Sequence, residues 1–377
     1  MRNLHLFLSF CALASVLALQ SCTNGSTGSA GGGDTLRLKY ATGLTIVDHG
    51  GYTQVSVADP WHKGQSLHTY ILVSKEDSLP HPMPKGTLVR TPIDKAMVST
   101  TVHSQLFIEL NALKAIGGVC DINYINIPQI QQGLRSGCVK DCGSSMQPNV
   151  ERIVDLHPDA MLLSPYENSG GYGKIEKLGV PIIECADYME PSPLARAEWM
   201  KFYALLLGRE KVADSLFNVV ERRYLHTKRM AARLKNAPKV LIDKPMSGVW
   251  YVPCGQSTIG QMVADAGGSY AFAKVEGSGS KALPVERIVD EAEDADLWLV
   301  RYDGKPLCYE ALAKESAAYK RFKAYKSRKV WACNVQTSGF FELTPFRPDM
   351  LIEDFFCIFH PTVAHGQKTR FYHVIDK

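Results

Sequence analysis

The chain has 377 residues, 45% of them apolar, which is enough for two globular domains with cores of their own. Its 42 basic and 38 acidic side chains are intermixed along the sequence and leave a formal net charge of +4. Because no run of basic residues stands out, the sequence argues against a nucleic-acid partner.

The N-terminus has the pattern of an export signal. A single basic residue, Arg2, precedes an apolar run from Leu4 to Leu19, which is short for a membrane span and typical of a signal peptide. The sequence Leu19-Gln20-Ser21-Cys22 resembles a bacterial lipobox, in which the peptide is cut before a cysteine that is then acylated. We therefore expect residues 1–21 to be a signal peptide and Cys22 to carry lipid; the alternative is an ordinary secretory signal with an incidental cysteine.

A Gly-, Ser- and Thr-rich string follows Cys22, so residues 22–35 are predicted to be a flexible tether. Eight cysteines lie beyond it, at positions 120, 138, 142, 185, 254, 308, 333 and 357. Cys138 and Cys142 are the only close pair, and no second pair follows at the spacing of a zinc knuckle. The sequence leaves the disulfide pairing open.

Two kinds of pattern succeed each other in the first half of the chain. Residues 36–90 alternate polar and apolar positions between turn signals, which predicts antiparallel strands at 36–40, 53–57 and 69–73. From residue 96 the pattern becomes a strand, a loop at Ser99-Thr100-Thr101 and a helix over 105–115, a unit that builds parallel sheets.

An internal repeat indicates two similar lobes. The sequence Val150-Glu151-Arg152-Ile153-Val154-Asp155 recurs as Val285-Glu286-Arg287-Ile288-Val289-Asp290. Each copy is followed by Asp-Ala and an apolar strand, so a duplicated helix-and-strand unit is favoured over one packing solution reached twice. Aligning the two copies places Tyr166 opposite Arg301.

Helical periodicity separates the two copies. Residues 193–207 form one predicted helical stretch, and a second runs from Glu210 to Leu234 before Asn236 and Pro238 end it. A single helical crossing between lobes predicts modest rocking rather than wide closure. Beyond it we predict strands at 239–243, 248–252 and 330–333, and helices at 259–266 and 349–359.

Several segments together resemble the helical-backbone, or class III, periplasmic binding proteins, which serve ABC importers of iron-siderophore complexes, haem and vitamin B12. They are Asn149–Val154 with His157-Pro158-Asp159-Ala160, Leu178–Ile182, the long connector, Gly267-Gly268 and Phe359-His360-Pro361. The resemblance covers residues 90–361 and leaves the role of 36–90 open.

The resemblance implies an α/β fold with two Rossmann-like lobes, each with a central parallel sheet, joined by one long helix. We expect an N-terminal lobe at 36–192, the connecting helix at 193–236 and a C-terminal lobe at 237–377. In the family, one exposed glutamate on each lobe docks onto permease arginines, and the positions that match are Glu151 and Glu286. Glutamate is also favoured in the first turn of any helix by the helix dipole.

Ligands of such folds lie beyond the carboxyl ends of the parallel strands. The loops expected there supply the candidate ligand-binding residues, which are Ser99, Thr100, Thr101, Tyr166, Trp250, Tyr251, Arg301, Tyr302, Phe340, Phe341 and Arg347. Aromatic faces suit a broad ligand, and the arginines suit carboxylates or an anionic ferric chelate.

The predicted function is therefore that of a monomeric, lipid-anchored periplasmic protein that delivers an iron complex, either siderophore or haem, to a permease and its ATPase subunits. Cobalamin is the alternative cargo. A Zn²⁺ or Mn²⁺ receptor is a further alternative because six histidines beyond the signal peptide lie toward the N-terminal half, at positions 49, 62, 68, 81, 103 and 157, although their irregular spacing favours surface histidines. A secreted α/β hydrolase is disfavoured because no nucleophile elbow, zinc-protease motif or phosphate loop is found, and no catalytic cofactor is expected.

Overall fold

The computed structural model describes residues 33–167, 171–246 and 248–376. The predicted signal peptide and Cys22 lie outside these residues. Within them, no helix is both long enough and apolar enough to cross a membrane. The chain from Thr35 onward folds as one compact unit that contains three five-stranded sheets.

The first sheet precedes the two lobes. Its strands are β1 (Asp34–Leu36), β2 (Leu44–Asp48), β3 (Thr53–Ala58), β4 (Ser66–Ser74) and β5 (Thr87–Thr91), in spatial order β1-β2-β3-β4-β5. β2, β3 and β4 pair antiparallel, as their alternating sequences predict, whereas β5 pairs parallel with β4. The strand predicted at 36–40 is wrong except at Leu36, where β1 ends, because residues 39–41 donate their N–H groups to a side chain of the connector.

The N-terminal lobe is built on the second sheet. Its elements are β6 (Ala96–Val98), α1 (Thr101–Glu109), β7 (Ile116–Val119), α2 (Pro128–Ser136), β8 (Lys140–Asp141), α3 (Val150–Leu156), β9 (Ala160–Leu163) and β10 (Ile182–Glu184). The strands are all parallel, in the order β10-β9-β6-β7-β8. α1 begins four residues earlier than predicted because the Thr100 side chain accepts a hydrogen bond from His103 N and caps it.

Three helices connect the lobes: α4 (Pro193–Glu198), α5 (Met200–Leu207) and α6 (Glu210–Ala231). Gly208, with a φ of 62°, ends α5 and separates it from α6. α6 has 22 residues and a length of about 33 Å. Its buried residues recur every three or four positions along one face, so its sequence periodicity determines which face packs against the rest of the protein.

The C-terminal lobe contains the remaining elements. They are β11 (Lys239–Ile242), β12 (Trp250–Pro253), α7 (Thr258–Asp265), β13 (Ser269–Tyr270), β14 (Ser280–Leu283), α8 (Val285–Ala292), β15 (Leu297–Tyr302), α9 (Tyr309–Glu315), α10 (Lys323–Lys326), β16 (Val330–Asn334), α11 (Phe340–Leu343), α12 (Pro348–Phe359) and β17 (His373–Val374). The third sheet has the order β13-β11-β15-β16-β17, and β12 and β14 form a separate two-stranded antiparallel sheet.

The two lobes share one topology. The order β10-β9-β6-β7 in the first lobe matches β16-β15-β11-β13 in the second, and all of these pairings are parallel. In each lobe the repeated sequence forms the helix before the central strand, α3 before β9 and α8 before β15. The predicted two-lobed α/β fold is therefore confirmed.

The strand register corrects one detail of the repeat alignment. Ser99 N donates to Leu162 O, and Asp243 N donates to Leu299 O, so these pairs are equivalent. Two residues further along the central strands, Ser164 rather than Tyr166 is the counterpart of Arg301. The predicted opposition of Tyr166 and Arg301 is wrong because two extra residues lie between the repeated helix and its strand in the second lobe.

Two buried glutamates attach the first sheet to the connector. Glu198 of α4 accepts hydrogen bonds from the backbone N–H groups of Lys39, Tyr40 and Ala41 at 2.7–3.0 Å. Glu190 accepts from the backbone N–H groups of Thr42 and Gly43 and from Trp199 Nε1. Burial alone would raise the pKa of Glu198, but these donors outweigh it and lower that pKa. The carboxylates thus fix residues 39–43 against the connector.

Substitution of Phe217 tests the packing of α6 against the residues that follow β1. Its side chain is buried and contacts the ring of Tyr40, with centroids 6.2 Å apart. Phe217→Ala should lower the free energy of unfolding by about 3–5 kcal/mol, as measured by chemical denaturation, because it leaves a cavity between connector and first sheet. Asn218→Ala, on the exposed face of the same turn, should change it by less than about 0.5 kcal/mol. Equal effects of the two substitutions would contradict this packing.

Candidate functional site

Exposed apolar side chains collect at the carboxyl ends of the two parallel sheets. Most of the large apolar side chains that are exposed in the described residues lie in the segments that follow those ends: Tyr124, Met146, Tyr166, Tyr188, Met246, Val249, Tyr251 and Phe341. Apolar surface that is exposed to water raises the free energy of the protein, so exposed apolar patches often mark sites that a ligand or partner covers. Both lobes therefore present a partly apolar rim on the side where such folds bind ligands.

A cavity of about 580 Å³, here called the lobe cavity, opens among the loops of the N-terminal lobe. Its walls come from Ser99 and Thr100 after β6, from residues 145–148 before α3, from Ser164 and Tyr166 after β9, and from residues 171–175. Three of the predicted ligand-binding residues, Ser99, Thr100 and Tyr166, thus line one cavity. Lys174, which the sequence analysis did not single out, adds a cationic side chain to it.

A second cavity of about 160 Å³, the junction cavity, lies where the connector meets the C-terminal lobe. Pro193 and Arg196 of α4 form one wall, and Arg301, Phe340 and Phe341 form another. The Arg301 guanidinium lies 5.5 and 5.8 Å from the centroids of Phe340 and Phe341, within cation–π range. The structure therefore brings these three predicted residues together.

Both arginines of the junction cavity are held by buried or nearly buried carboxylates. Arg301 Nε and Nη2 donate to Asp243 Oδ1 and Oδ2 at 2.8 and 2.5 Å. Arg196 Nε donates to Asp187 Oδ2 at 3.0 Å. These bonds use Nε and Nη2 of Arg301 and Nε of Arg196. The other N–H groups of the two guanidiniums have no protein partner within the described residues. The two cations can therefore donate to an anion in the cavity.

Asp187 is the centre of a buried hydrogen-bonded cluster. His103 Nε2 donates to Asp187 Oδ1 at 2.9 Å, and the Tyr203 hydroxyl donates to the same oxygen at 2.9 Å. His103 Nδ1 lies 2.6 Å from Thr100 Oγ1, which lines the lobe cavity. The chain Thr100–His103–Asp187–Arg196 therefore links the two cavities.

The cluster holds His103 in its charged form. Burial would lower the pKa of His103, but its interactions with Cys185 and Asp187 outweigh burial and raise the pKa to about 10. Burial would likewise raise the pKa of Asp187, but the charges of His103 and Arg196 lower it to about 2. With His103 protonated, both ring nitrogens donate, so Thr100 Oγ1 accepts and its own hydroxyl proton is left for a ligand.

Several other predicted residues do not reach either cavity. Trp250 is fully buried, stacks on Trp298 and donates from Nε1 to Ile242 O at 3.1 Å, so it belongs to the lobe core. Tyr302 is also nearly buried. The assignment of Trp250 to the ligand site is wrong because alternate side chains of a strand point to opposite faces, and this one points into the core. Tyr302 lines neither cavity, and its ligand role stays a prediction.

Arg347 has a structural role. It donates to Asp349 through Nε and Nη2 and to Glu109 Oε2 through Nη1, at 3.0–3.1 Å. These bonds tie the start of α12 to α1 of the other lobe. Thr101 is the first residue of α1, and Tyr251 is exposed on β12 of the two-stranded sheet. Neither lines a described cavity.

The two glutamates of the repeat occupy equivalent surface positions. Glu151 and Glu286 lie in the first turns of α3 and α8, and both are exposed. Neither has a hydrogen-bond or ion-pair partner within the described residues. Val150, next to Glu151, lines the lobe cavity, so this helix start adjoins the candidate site.

The histidines do not assemble into a metal site. The described residues contain no group of three or more His, Cys, Asp or Glu side chains able to hold a metal ion. His103 follows the carboxyl end of β6, whereas His157 precedes the amino end of β9, so the pair lies at opposite ends of the sheet. The expectation of surface histidines is wrong for His103, which is buried.

Comparisons with known proteins agree with this geometry. The profile of a family described as periplasmic binding protein matches residues 103–337. A lipoprotein of Methanocaldococcus jannaschii is 26% identical over 89% of this chain and 84% of its own length.

Solved structures show the same fold. A periplasmic heme binding protein from Pseudomonas aeruginosa superposes with a TM-score of 0.58 at 15% identity, over 76% of this chain and 99% of that one. A structure described as an ABC-type Fe3+-hydroxamate transport system, from Saccharomonospora viridis, gives 0.55 at 14% identity, over 71% of this chain and 94% of that one.

The charge on His103 predicts a pH dependence of stability. Because its pKa is higher in the folded protein than the ordinary value of about 6.5, its contribution is complete below pH 6.5 and is lost as the pH rises through about 10. His103→Gln should flatten the fall in unfolding free energy between pH 6.5 and 10, measured by chemical denaturation. His157→Gln, at an exposed position, should leave that slope unchanged. An unaltered slope in His103→Gln would contradict the charged state.

Proposed function

Because the chain belongs to the periplasmic binding protein family, we propose that it is the solute-binding protein of an ABC importer and carries a large anionic iron complex, either a ferric siderophore or haem. The observation that supports this cargo most directly is the pair of guanidiniums, Arg196 and Arg301, that line the junction cavity. Each is held in place before a ligand arrives, which lowers the entropy lost on binding.

The electrostatics of the junction favour an anion. Asp187 is shared by two cations, Arg196 and the protonated His103, whereas Asp243 neutralises Arg301 alone. These five groups therefore carry one net positive charge in a partly enclosed site. A carboxylate or an anionic chelate can accept the guanidinium N–H groups that the protein leaves unused, and charge-assisted bonds of this kind are strong.

The apolar rim indicates a broad ligand. Tyr166 and Met146 stand at the lobe cavity, and Phe341 stands at the junction cavity. Aromatic and thioether surfaces cover planar or greasy groups without requiring a fixed hydrogen-bond pattern. The lobe cavity alone falls within the range of about 300–1,000 Å³ typical of small-molecule sites.

Cobalamin is the second candidate cargo within the same fold. Its periphery consists mostly of uncharged amides, which make little use of two guanidiniums. The similar structure from P. aeruginosa is described as a heme binding protein, and that from S. viridis as an Fe3+-hydroxamate transport system. Both descriptions agree with an iron complex as cargo.

Delivery is proposed to use Glu151 and Glu286 as contacts for basic residues of the permease. The two exposed carboxylates lie on equivalent helix starts, one on each lobe, so together they define an orientation. An anchor on Cys22 would hold the protein at a membrane outside the cytoplasm, in agreement with its lipoprotein relative. The ATPase subunits of the importer then supply the energy, and this chain has no catalytic role.

Ligand binding tests the cargo. The purified protein should bind a ferric siderophore or haem in a titration followed by the absorbance of the ligand. Arg196→Gln and Arg301→Gln should each weaken binding by about 10- to 100-fold, because each removes a charge-assisted hydrogen bond. Arg222→Gln, on the exposed face of α6, is the matched control and should leave affinity unchanged. Tight cobalamin binding that neither substitution alters would contradict the anionic cargo.

Import tests the docking surface. Replacing Glu151 and Glu286 together by Ala should reduce ligand uptake in cells at least 10-fold. The dissociation constant of the ligand should stay the same, since neither glutamate lines a described cavity. Asp155→Ala with Asp290→Ala provides the control, because these exposed carboxylates lie further along the same helices. Undiminished uptake by the double glutamate variant would exclude these residues from docking.

A further inference from the structure

Two buried cysteines lie side by side on neighbouring strands of the N-terminal lobe. Val119 of β7 pairs with Asp141 of β8 in parallel register, and Cys142 N donates to Val119 O at 2.8 Å. The next residues in this register are Cys120 and Cys142. Neighbouring strands are about 4.7–4.9 Å apart, within the range of about 4.4–6.8 Å that disulfides span between Cα atoms.

The two side chains share one face of the sheet. Both belong to the small apolar cluster beneath it, together with Met97, Leu156 and Met161. Gly118 lies two residues before Cys120, on the same face, and a Cβ atom placed on it would come within 2.6 Å of Cys142 Sγ. The Cys142 sulfur therefore lies over β7 at Gly118, on the face that Cys120 shares, and 4.0 Å from Lys140 O. A rotation about the Cα–Cβ bond of Cys142 is needed to bring it to the Cys120 sulfur.

Other roles for these thiols are disfavoured. Burial raises the pKa of Cys120 to about 12 and that of Cys142 to about 11. Both therefore remain protonated in the folded protein, whereas nucleophilic and metal-binding cysteines act as thiolates. The pair also has no further metal-ligating side chain to form a site within the described residues.

We propose that Cys120 and Cys142 form a disulfide in the exported protein. The proposal relies on the extracytoplasmic location of the family, where thiols oxidise, and not on the identity of the cargo. Before folding buries the pair and raises both pKa values, one cysteine thiolate attacks a disulfide oxidant and releases one thiolate of that oxidant. The second cysteine then attacks this mixed disulfide and displaces the second thiolate of the oxidant, which forms the S–S bond between Cys120 and Cys142. The oxidant leaves as two thiols, which carry the two protons that the cysteines lose.

The disulfide would fasten the base of a functional loop. Residues 143–149 follow Cys142 directly; Gln147 and Pro148 line the lobe cavity, and Asn149 caps α3 by accepting from Arg152 N. The same loop thus carries a wall of the candidate ligand site and the start of the helix that bears Glu151. A cross-link at its first residue limits how far both can move.

Cys138, the closest cysteine to Cys142 in sequence, is not the partner. It is exposed just after α2, while Cys142 is buried beneath the sheet. Cys138 therefore provides the matched control, a neighbouring cysteine that should stay unlinked.

The linkage can be mapped on the unaltered chain. The full-length protein is extracted from cell envelopes without reductant, denatured in N-ethylmaleimide, digested and analysed by mass spectrometry. We expect a linked peptide pair that contains Cys120 and Cys142, and N-ethylmaleimide on Cys138. Label on both Cys120 and Cys142, or a link from Cys142 to Cys138, would overturn the proposal.

Refolding gives an independent measurement. In a buffer of reduced and oxidised glutathione, the wild type and Cys138→Ser should form the linkage, whereas Cys120→Ser and Cys142→Ser should not. Reduction should raise the unfolding equilibrium constant of the wild type on the order of 100-fold, from the chain entropy that the loop of residues 120–142 restores to the unfolded state. An equal response to reductant in the Cys120→Ser variant would also overturn the proposal.

Discussion

The carboxylate of Asp187 fixes the junction on which the candidate site depends. It is almost fully buried after β10 and accepts hydrogen bonds from three separate helices, through His103 of α1, Arg196 of α4 and Tyr203 of α5. A buried carboxylate without such partners would be strongly destabilising, so the three helices must stay where their donors reach it. Arg196 at the junction cavity and Thr100 at the lobe cavity are thereby positioned in the empty protein.

The lobes use one scaffold for different chemistry. Backbone register makes Ser99 equivalent to Asp243 and Ser164 equivalent to Arg301. The N-terminal lobe therefore presents hydroxyl groups where the C-terminal lobe presents an ion pair. A ligand held between them would meet neutral donors on one side and charge on the other, which orients it. Such divergence is expected of loops beyond strand ends, because substitutions there leave the core intact.

Relative motion of the lobes is limited by more than the connector. Along α6, Tyr40 and Lys39 bind Glu221 on one side, and Arg223 binds Glu353 of α12 on the other. Away from the connector, Arg347 joins Glu109 of the other lobe. A helix that is attached at several points cannot bend as paired strands do, which agrees with small rocking movements. Preformed cavities suit such a mechanism because little closure is needed to enclose the ligand.

Sequence alone determined the architecture. The repeated Val-Glu-Arg-Ile-Val-Asp helices, the apolar strands after them and the periodicity of α6 are local patterns, and local backbone preference with burial of one face decides them. What only the tertiary structure decided is the role of individual side chains. Arg196 appeared as an ordinary helix residue, Arg347 and Trp250 as ligand contacts, and His103 as a surface group. Their roles depend on which distant partner lies within about 3 Å, such as Asp187 for Arg196 or Glu109 for Arg347, and no local pattern encodes that distance.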